Sequence, residues 1–514
     1  MSSPEKNRLE YLPTLVQKEI IVHLGTKQSH ECLFEAYQSM GVDFDHYEVT
    51  TLQQILQRLI SDDKEENILK DILMMLDMKA LRNLDFSLAE MLSYRKRRTL
   101  SKAPDLDELR EVHSLVSRYI VLIEDYVSKA TSKYPPRAYM GVPDLNLGTG
   151  STFKGQSLDT KLVPFMSLRW SERHRLLRAF VRYELVCRIY RAFPLQATAQ
   201  FHREVRLFNA FDTGPDAVQQ LVFTSVHDYC RTLYGAGLAH IGDAWLPDPP
   251  ALCPGGPKST RKGYRRLLFP NSMYFDADEY LKDLPLGTEY GPTVIDRLAC
   301  CGLNPITTFL AILKVEGGQG YRTRSWLEGI IVRSGVFPPW IYEFDQAQYG
   351  MRASLDSWVL TQIGSPNPDS SSLPLSLASN SRVHEYSATK AMKPWAKAYV
   401  RQVQIYRQRA WGLLDDKRLY ANAARPWPTY QQIHNLETMD QRAALDEREF
   451  ARLELTDSLQ YLTRLSGFQE RRKRRSQLWQ EFWAGDRSHE PFWYIQEAQP
   501  DTSRSRQPQI VWSY

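Results

Sequence analysis

No stretch of this sequence reaches the ~18–20 uncharged apolar residues that a membrane-crossing helix needs, so no membrane span is expected. The opening residues, MSSPEKNRLEYLP, hold no apolar leader core. Cysteine is scarce: Cys32, Cys187, Cys230, Cys253, Cys300 and Cys301 are the six in 514 residues, with no C-x-x-C pair. That spacing gives no paired metal site and fits free thiols better than disulfides. Cys187 sits in the apolar phrase YELVCRIY. Free buried thiols in a reducing compartment, cytoplasm or nucleus, are expected. Charge of one sign is also missing. Lys and Arg number 65 against 60 Asp and Glu, a net +5. So small a balance does not suit a dedicated nucleic-acid binder, whose affinity comes from neutralising phosphates.

Catalytic signatures are missing too. There is no H-E-x-x-H and no G-x-S-x-G. Gly150-x-x-x-x-Gly155-Gln156-Ser157 has the outline of a phosphate loop. Gln156 stands where a lysine must neutralise the phosphates, so a plain loop is expected. His174, His202 and His227 lie on expected helices and read as surface or satisfied core residues. Asp276-Ala277-Asp278-Glu279 is a dense carboxylate cluster of the kind that can hold a hard cation, although short acidic turns are commonplace. Adjacent side chains on a helix diverge by about 100°, so Cys300 and Cys301 are read as core rather than as ligands. Gly317–Gly320 before Tyr321-Arg322-Thr323-Arg324 reads as a turn with solvated arginines. No metal, no cofactor and no enzymatic activity are expected.

What is present is helical patterning. Apolar residues recur at helical spacing in Leu12–Leu24, Glu31–Met40, Thr51–Ile60 and Glu65–Met78. Asp105, with Glu108 three residues on, has the form of a capping box opening a helix to about Ala130. Ser171 is the expected N-cap of a helix through SERHRLLRAFVRYELVCRIYRAF. Further helices are expected at Phe201–Phe211, Ala217–Leu238, Thr293–Val315, Arg324–Ile331, Trp340–Ile363, Trp395–Leu414 and Asp440–Trp483. Gly141–Gln156, Pro247–Gly263 and the Ser/Pro-rich Gly364–Ser381 read as loops. Twelve tryptophans, Trp395, Trp411, Trp427, Trp479 and Trp493 among them, argue for packed cores. The sharpest charge run is Arg471-Arg472-Lys473-Arg474-Arg475, a basic patch on an expected helix. It suits import machinery or phosphate contacts, but nearby acidic residues make a solvated helix face the simpler reading.

The segment LPTLVQKEIIVHL carries most information. Pro13 sits near a helix start, where its missing N–H costs nothing. Leu12, Pro13, Val16, Ile20, Ile21 and Leu24, with Leu15 beside them, resemble the opening helix of the F-box. The segment departs from that pattern at Leu15, where the family usually has an acidic residue, and at Gln17. WSERHRLLRAFVRYELVCRIYRAF and RQRAWGLLDDKRL are similar to phrases of large helical filamentous-fungal proteins with a degenerate F-box-like N-terminus. The resemblance implies a mainly α chain. It would comprise a small F-box-like unit (9–60), a large irregular all-α body with long loops (61–498, with a flexible insertion at about 364–381) and a tail (499–514). It further implies docking on a Skp-type adaptor of a cullin-based ubiquitin ligase, with those six residues as candidates for the adaptor-facing or core-facing surface of the helix and the body recruiting a protein substrate.

Overall fold

The computed structural model describes residues 45–60, 67–83, 88–99, 105–132, 135–145, 151–154, 156–158, 160–192, 205, 217–242, 274–281, 294–316, 321–334, 394–419 and 433–434. Helices make up 81% of this region, so the protein is mainly α. The described residues belong to two compact units.

The first unit gathers residues up to Tyr126 together with 145–149 and 162–214. It holds α1 (Asp45–Leu59), α2 (Asn67–Asn83), α3 (Leu88–Arg97), most of α4 (Leu106–Ala130) and α6 (Trp170–Ala192). The α4 stripe Leu109, Val112, Val116, Tyr119 and Ile123 is fully buried. Each such side chain contributes roughly 1.5–3 kcal/mol on leaving water. By contrast, α6 is buried on nearly every face, with Leu177, Phe180, Val181, Leu185 and Val186 inside. It is the central helix here, packed on α2. Three of its charged residues, Glu172, Arg182 and Glu184, are therefore inside as well and need partners.

Those partners are present. Asp71 of α2 accepts from the Arg95 guanidinium of α3 and lies 2.8 Å from Arg182 Nε. Glu184 pairs with Arg188 at 2.8 Å, and Arg188 also donates to the Met75 carbonyl at 2.8 Å. Nearer the rim, Arg98 joins Asp77, at 2.8 Å, to Glu108. Glu108 thus serves that ion pair; Asp105 does stand just before the first residue of α4. For α6 the expected cap is corrected. Ser171 lies inside the first turn, and Glu172 reaches back to accept the Arg169 N–H at 2.9 Å. This is the return half of a capping box, and it makes a serine cap unnecessary.

The second unit comprises 127–144, 150–161 and the chain from Pro215 onward. Helix α7 (Ala217–Ile241) runs through its middle. Around it lie α5 (Pro135–Tyr139), a 3-10 turn (Ala277–Leu281), α8 (Val294–Cys300), α9 (Leu303–Glu316) and α11 (Pro394–Gln408). Helix α10 (Tyr321–Ser334) packs on α8 and α9, and α12 (Asp416–Leu419) follows α11. Gly235 and Gly237 let neighbours approach α7 closely. A Cβ on Gly237 would stand 2.2 Å from the buried Phe309 ring, and one on Gly235 would stand 2.7 Å from the Ala277 backbone.

Three expectations change here. Residues 141–156, expected to be loop, carry β1 (Val142–Pro143), β2 (Ser151–Phe153) and the start of β3 (Gln156–Ser157), an antiparallel sheet in that order. Lys154 follows β2 with φ 46°, and Ser151–Phe153 pairs antiparallel with Gln156–Ser157, so the described residues of this phrase form a hairpin and not a phosphate loop. Thr293–Val315 is two helices rather than one. Gly302, at φ 92°, ends α8, and α9 leaves at 112°. Helix α11 stops at Gln408 instead of reaching Leu414, because Ala410 and Gly412 both take positive φ in the turn that follows. No single helix among the described residues is long and apolar enough to cross a membrane.

Candidate functional site

The densest polar constellation lies in the second unit, on one face of α7. His227, Asp228 and Arg231 share that face by their spacing. Arg231 is its hub. Its Nη2 donates to Asp278 Oδ2 at 2.7 Å, its Nε lies 2.8 Å from Asp296 Oδ1, and its Nη1 lies 3.8 Å from Asp228 Oδ1. Asp296 also faces His227 Nε2 at 3.3 Å. Asp228 in turn faces Arg407 of α11, at 3.2 Å. One guanidinium thus ties α7 to the 3-10 turn and to α8, and Asp228 extends the network to α11.

The approach to the turn is held from α11 as well. Gln408 Oε1 accepts the Phe275 N–H at 2.8 Å, and its Nε2 donates to the Phe275 carbonyl at 2.7 Å. Tyr274 donates to Asp276 at 2.5 Å, and the Arg401 guanidinium lies 4.0 Å over the Tyr274 ring. Asp276 Oδ1 accepts the Asp278 N–H at 3.2 Å.

Burial works against charge on Arg231, but Asp278, Asp296, Asp228 and Asp276 outweigh it and hold the guanidinium well above its ordinary range. Asp278 is pushed up to about 6, first by burial and then by Asp296 and Asp276, against the pull of Arg231. Its side chain keeps 41% of its surface in solvent, so water screens part of this effect. Burial also raises the Tyr274 hydroxyl. Chemically the cluster is an ionic latch. A ligand anion could reach Arg231 only by displacing a carboxylate.

A second polar group closes the other end of α7. Lys129, fully buried, donates to the Gly141 carbonyl at 2.8 Å and sits 5.9 Å from the centres of both the Tyr139 and Tyr229 rings. His240 Nε2 faces the Met140 carbonyl at 3.2 Å, and Lys154 donates to the Gly242 carbonyl at 2.8 Å. Burial first, then the Lys154 charge, lower the His240 pKa to about 3. The imidazole is therefore neutral at pH 7, with Nε2 facing the Met140 carbonyl.

Of the residues singled out from sequence, Asp276, Asp278 and His227 meet in the Arg231 latch. The acidic cluster that suggested a cation is answered by an internal guanidinium instead. Among the described residues no group of three or more His, Cys, Asp or Glu side chains is placed to hold a metal ion. Cys187, Cys230, Cys300 and Cys301 are free and buried, and the Cys301 thiol donates to the Arg297 carbonyl. Trp411 is buried edge-on to Tyr406. His174 lies half-buried on α6. Leu12, Pro13, Val16, Ile20, Ile21 and Leu24 lie outside the described residues, as do His202 and Arg471, Arg472, Lys473, Arg474 and Arg475. Sequence reading missed Arg231, Asp71, Lys129 and His240. For Arg231 the available signal was charge inside a strongly apolar helix, directly after Tyr229-Cys230.

Compared with known proteins, the chain matches no family model, and neither a curated protein nor a solved structure is significantly similar to it.

Proposed function

We propose that the chain works by protein–protein interaction, as an F-box-like substrate-recruiting adaptor of a cullin-type ubiquitin ligase, without catalysis of its own. The observation that carries this reading is the Leu12–Leu24 segment, whose Leu12, Pro13, Val16, Ile20, Ile21 and Leu24 fit the docking helix of an F-box. The character of the helical body is consistent with it. Asp71 and Arg231, the hubs of the two units, are matched by oppositely charged groups of the same unit. That is the economy of a scaffold, in which ionic groups fix helices to one another.

The test is co-purification of the full-length chain with a Skp-type adaptor. The double variant Ile20→Asp/Leu24→Asp and the remote surface variant Val332→Ser run beside it. Two apolar anchors facing a partner make a usable hot spot. Wild type and Val332→Ser should bind, and the folded double variant should not. Absence of wild-type binding at micromolar concentration overturns the adaptor role.

A second reading is favoured by five consecutive cations, Arg471–Arg475: a helical scaffold or nuclear factor that contacts anionic polymers. It requires salt-sensitive binding whose logarithmic slope falls by roughly one contact for each cation removed.

A further inference from the structure

In the first unit, helix α3 ends in a run of cations that leads to a hydroxyl. Arg95, Lys96 and Arg97 occupy its last turn, and Arg98, Thr99 and Leu100 follow in sequence. The fold sorts these cations into two kinds. Arg95 is buried on Asp71 of α2. Arg98 Nε donates to Asp77 of α2 at 2.8 Å, and its Nη2 donates to Glu108 of α4. Lys96 and Arg97 are exposed, and so is Thr99. Thr99 stands two residues past the end of α3, and its carbonyl accepts from Arg98 Nη1 at 3.0 Å.

Kinases that select basic substrates read charge at fixed places before the acceptor hydroxyl. With Thr99 as acceptor, Lys96 and Arg97 fall three and two residues before it, and the apolar Leu100 directly after. Those two cations are the exposed ones. Arg98, the neighbour of the acceptor, is engaged by Asp77 and Glu108 instead. A surface ion pair costs little to open, and a helix end yields before its middle. Ser325 makes the contrast. It is exposed and follows the exposed Arg322 by three residues, but it and the residues after it are part of α10. Its hydroxyl can be drawn into a kinase cleft only by unwinding that helix.

We propose that Thr99 is the acceptor site of a basophilic serine/threonine kinase, and that its phosphate draws Arg98 away from Glu108. The co-reactant is a nucleoside triphosphate brought by the kinase. Thr99 Oγ1 attacks the γ-phosphorus, and its proton passes to a carboxylate of the kinase. The Oγ1–P bond forms as the bridging bond to the β-phosphate breaks, and the nucleoside diphosphate leaves with that electron pair.

The product carries about −1.5 to −2 charges at pH 7, one residue from Arg98. Arg98 then has three anions to serve, and phosphate makes the stronger charge-assisted bonds. Tyr94 of α3 also donates to Asp77, at 2.8 Å, so the tie between α2 and α3 persists when Arg98 moves. The tie to Glu108 of α4 is the one given up. Modification of Thr99 thereby loosens the packing of the first unit at its rim. The proposal does not depend on adaptor docking through Leu12–Leu24.

The test incubates the full chain with ATP and the catalytic subunit of cyclic-AMP-dependent protein kinase, a basophilic enzyme, and maps phosphate by tandem mass spectrometry. Thr99 should be modified first. Thr99→Ser should still accept phosphate at this position, and Thr99→Ala should not. Arg97→Gln should lower the initial rate by about tenfold, the scale of one lost charge-assisted contact. Its circular dichroism should not change, because Arg97 is exposed. Modification should lower the urea midpoint of the wild type, leave that of identically treated Thr99→Ala in place, and lower that of Glu108→Gln by less. Several results overturn the proposal. One is absence of phosphate on Thr99 of the folded chain. Another is phosphate on Ser101, Ser325 or any other residue ahead of Thr99. A third is an undiminished rate in Arg97→Gln. An unchanged midpoint after full modification of Thr99, or an equal fall in Glu108→Gln, overturns the part given to Arg98.

Discussion

His240 carries the clearest pH consequence of any single side chain. Its imidazole is enclosed near the end of α7, edge-on to Phe153 at 4.8 Å and close to Lys129 and Lys154. The folded state refuses a proton that the unfolded chain accepts below an ordinary pKa near 6.5, because the folded value lies at about 3. The folded form thus binds fewer protons between those values, and its stability rises with pH there. The contribution is complete above about pH 6.5 and is lost as pH falls toward 3. In His240→Gln the side-chain amide can donate to the Met140 carbonyl but does not titrate. Between pH 7 and pH 4.5 the wild type should lose about 2–3 kcal/mol more unfolding free energy than this variant, as read by urea titration. Parallel pH profiles would refute this account. Nothing at the sequence level marked His240, since a histidine in an apolar helix reads alike whether neutral and buried or charged and solvated.

At the scale of helices, ion pairs decide how α2, α3 and α6 of the first unit meet. Asp71 stands between Arg95 and Arg182, and all three side chains are at most 5% exposed. A buried pair costs desolvation, and its net worth against an apolar replacement is small or negative. Breaking it is different, because it leaves charge inside without compensation. Asp71→Asn should destabilise the protein by roughly 3–5 kcal/mol, while Asp71→Leu/Arg95→Met/Arg182→Met recovers most of the loss. Chemical denaturation of both variants checks this, and a mild effect of Asp71→Asn would show that the arginines find other acceptors. Much of the helical layout was legible from sequence. The Asp105–Ala130 helix and the helix through Arg182 follow from apolar spacing, because one-sided or continuous burial writes a local pattern. The ion pairs were not legible: Asp71 and Arg182 are 111 positions apart, and no local rule joins them. The break at Gly302 was half-visible, as a glycine inside an apolar run, but the run's hydrophobicity outweighed it.

For the whole molecule, the expected mainly α character holds among the described residues, and the acidic phrase at 276–279 marked one part of the Arg231 latch. Residue type pointed there and pairing did not, since the partner lies some 47 positions away on α7. The four described thiols give a probe of both units at once. Cys187 belongs to the first unit, and Cys230, Cys300 and Cys301 to the second. Cys187 and Cys230 are fully buried in long helices. Cys300 and Cys301 keep 8% and 7% exposure at the Gly302 break, where two short-range turn hydrogen bonds replace the helical ladder. Opening near a helix end takes less free energy than opening a core helix. In native buffer a thiol reagent should therefore label Cys300 and Cys301 first. Cys187 and Cys230 should react only as fast as their units unfold, so their rates should rise with denaturant in step with loss of helical signal. Mass spectrometry of quenched samples resolves the order. Labelling of Cys187 or Cys230 ahead of the Cys300–Cys301 pair would mean that α6 or α7 opens more readily than the bend at Gly302, contrary to the central place of each helix in its unit.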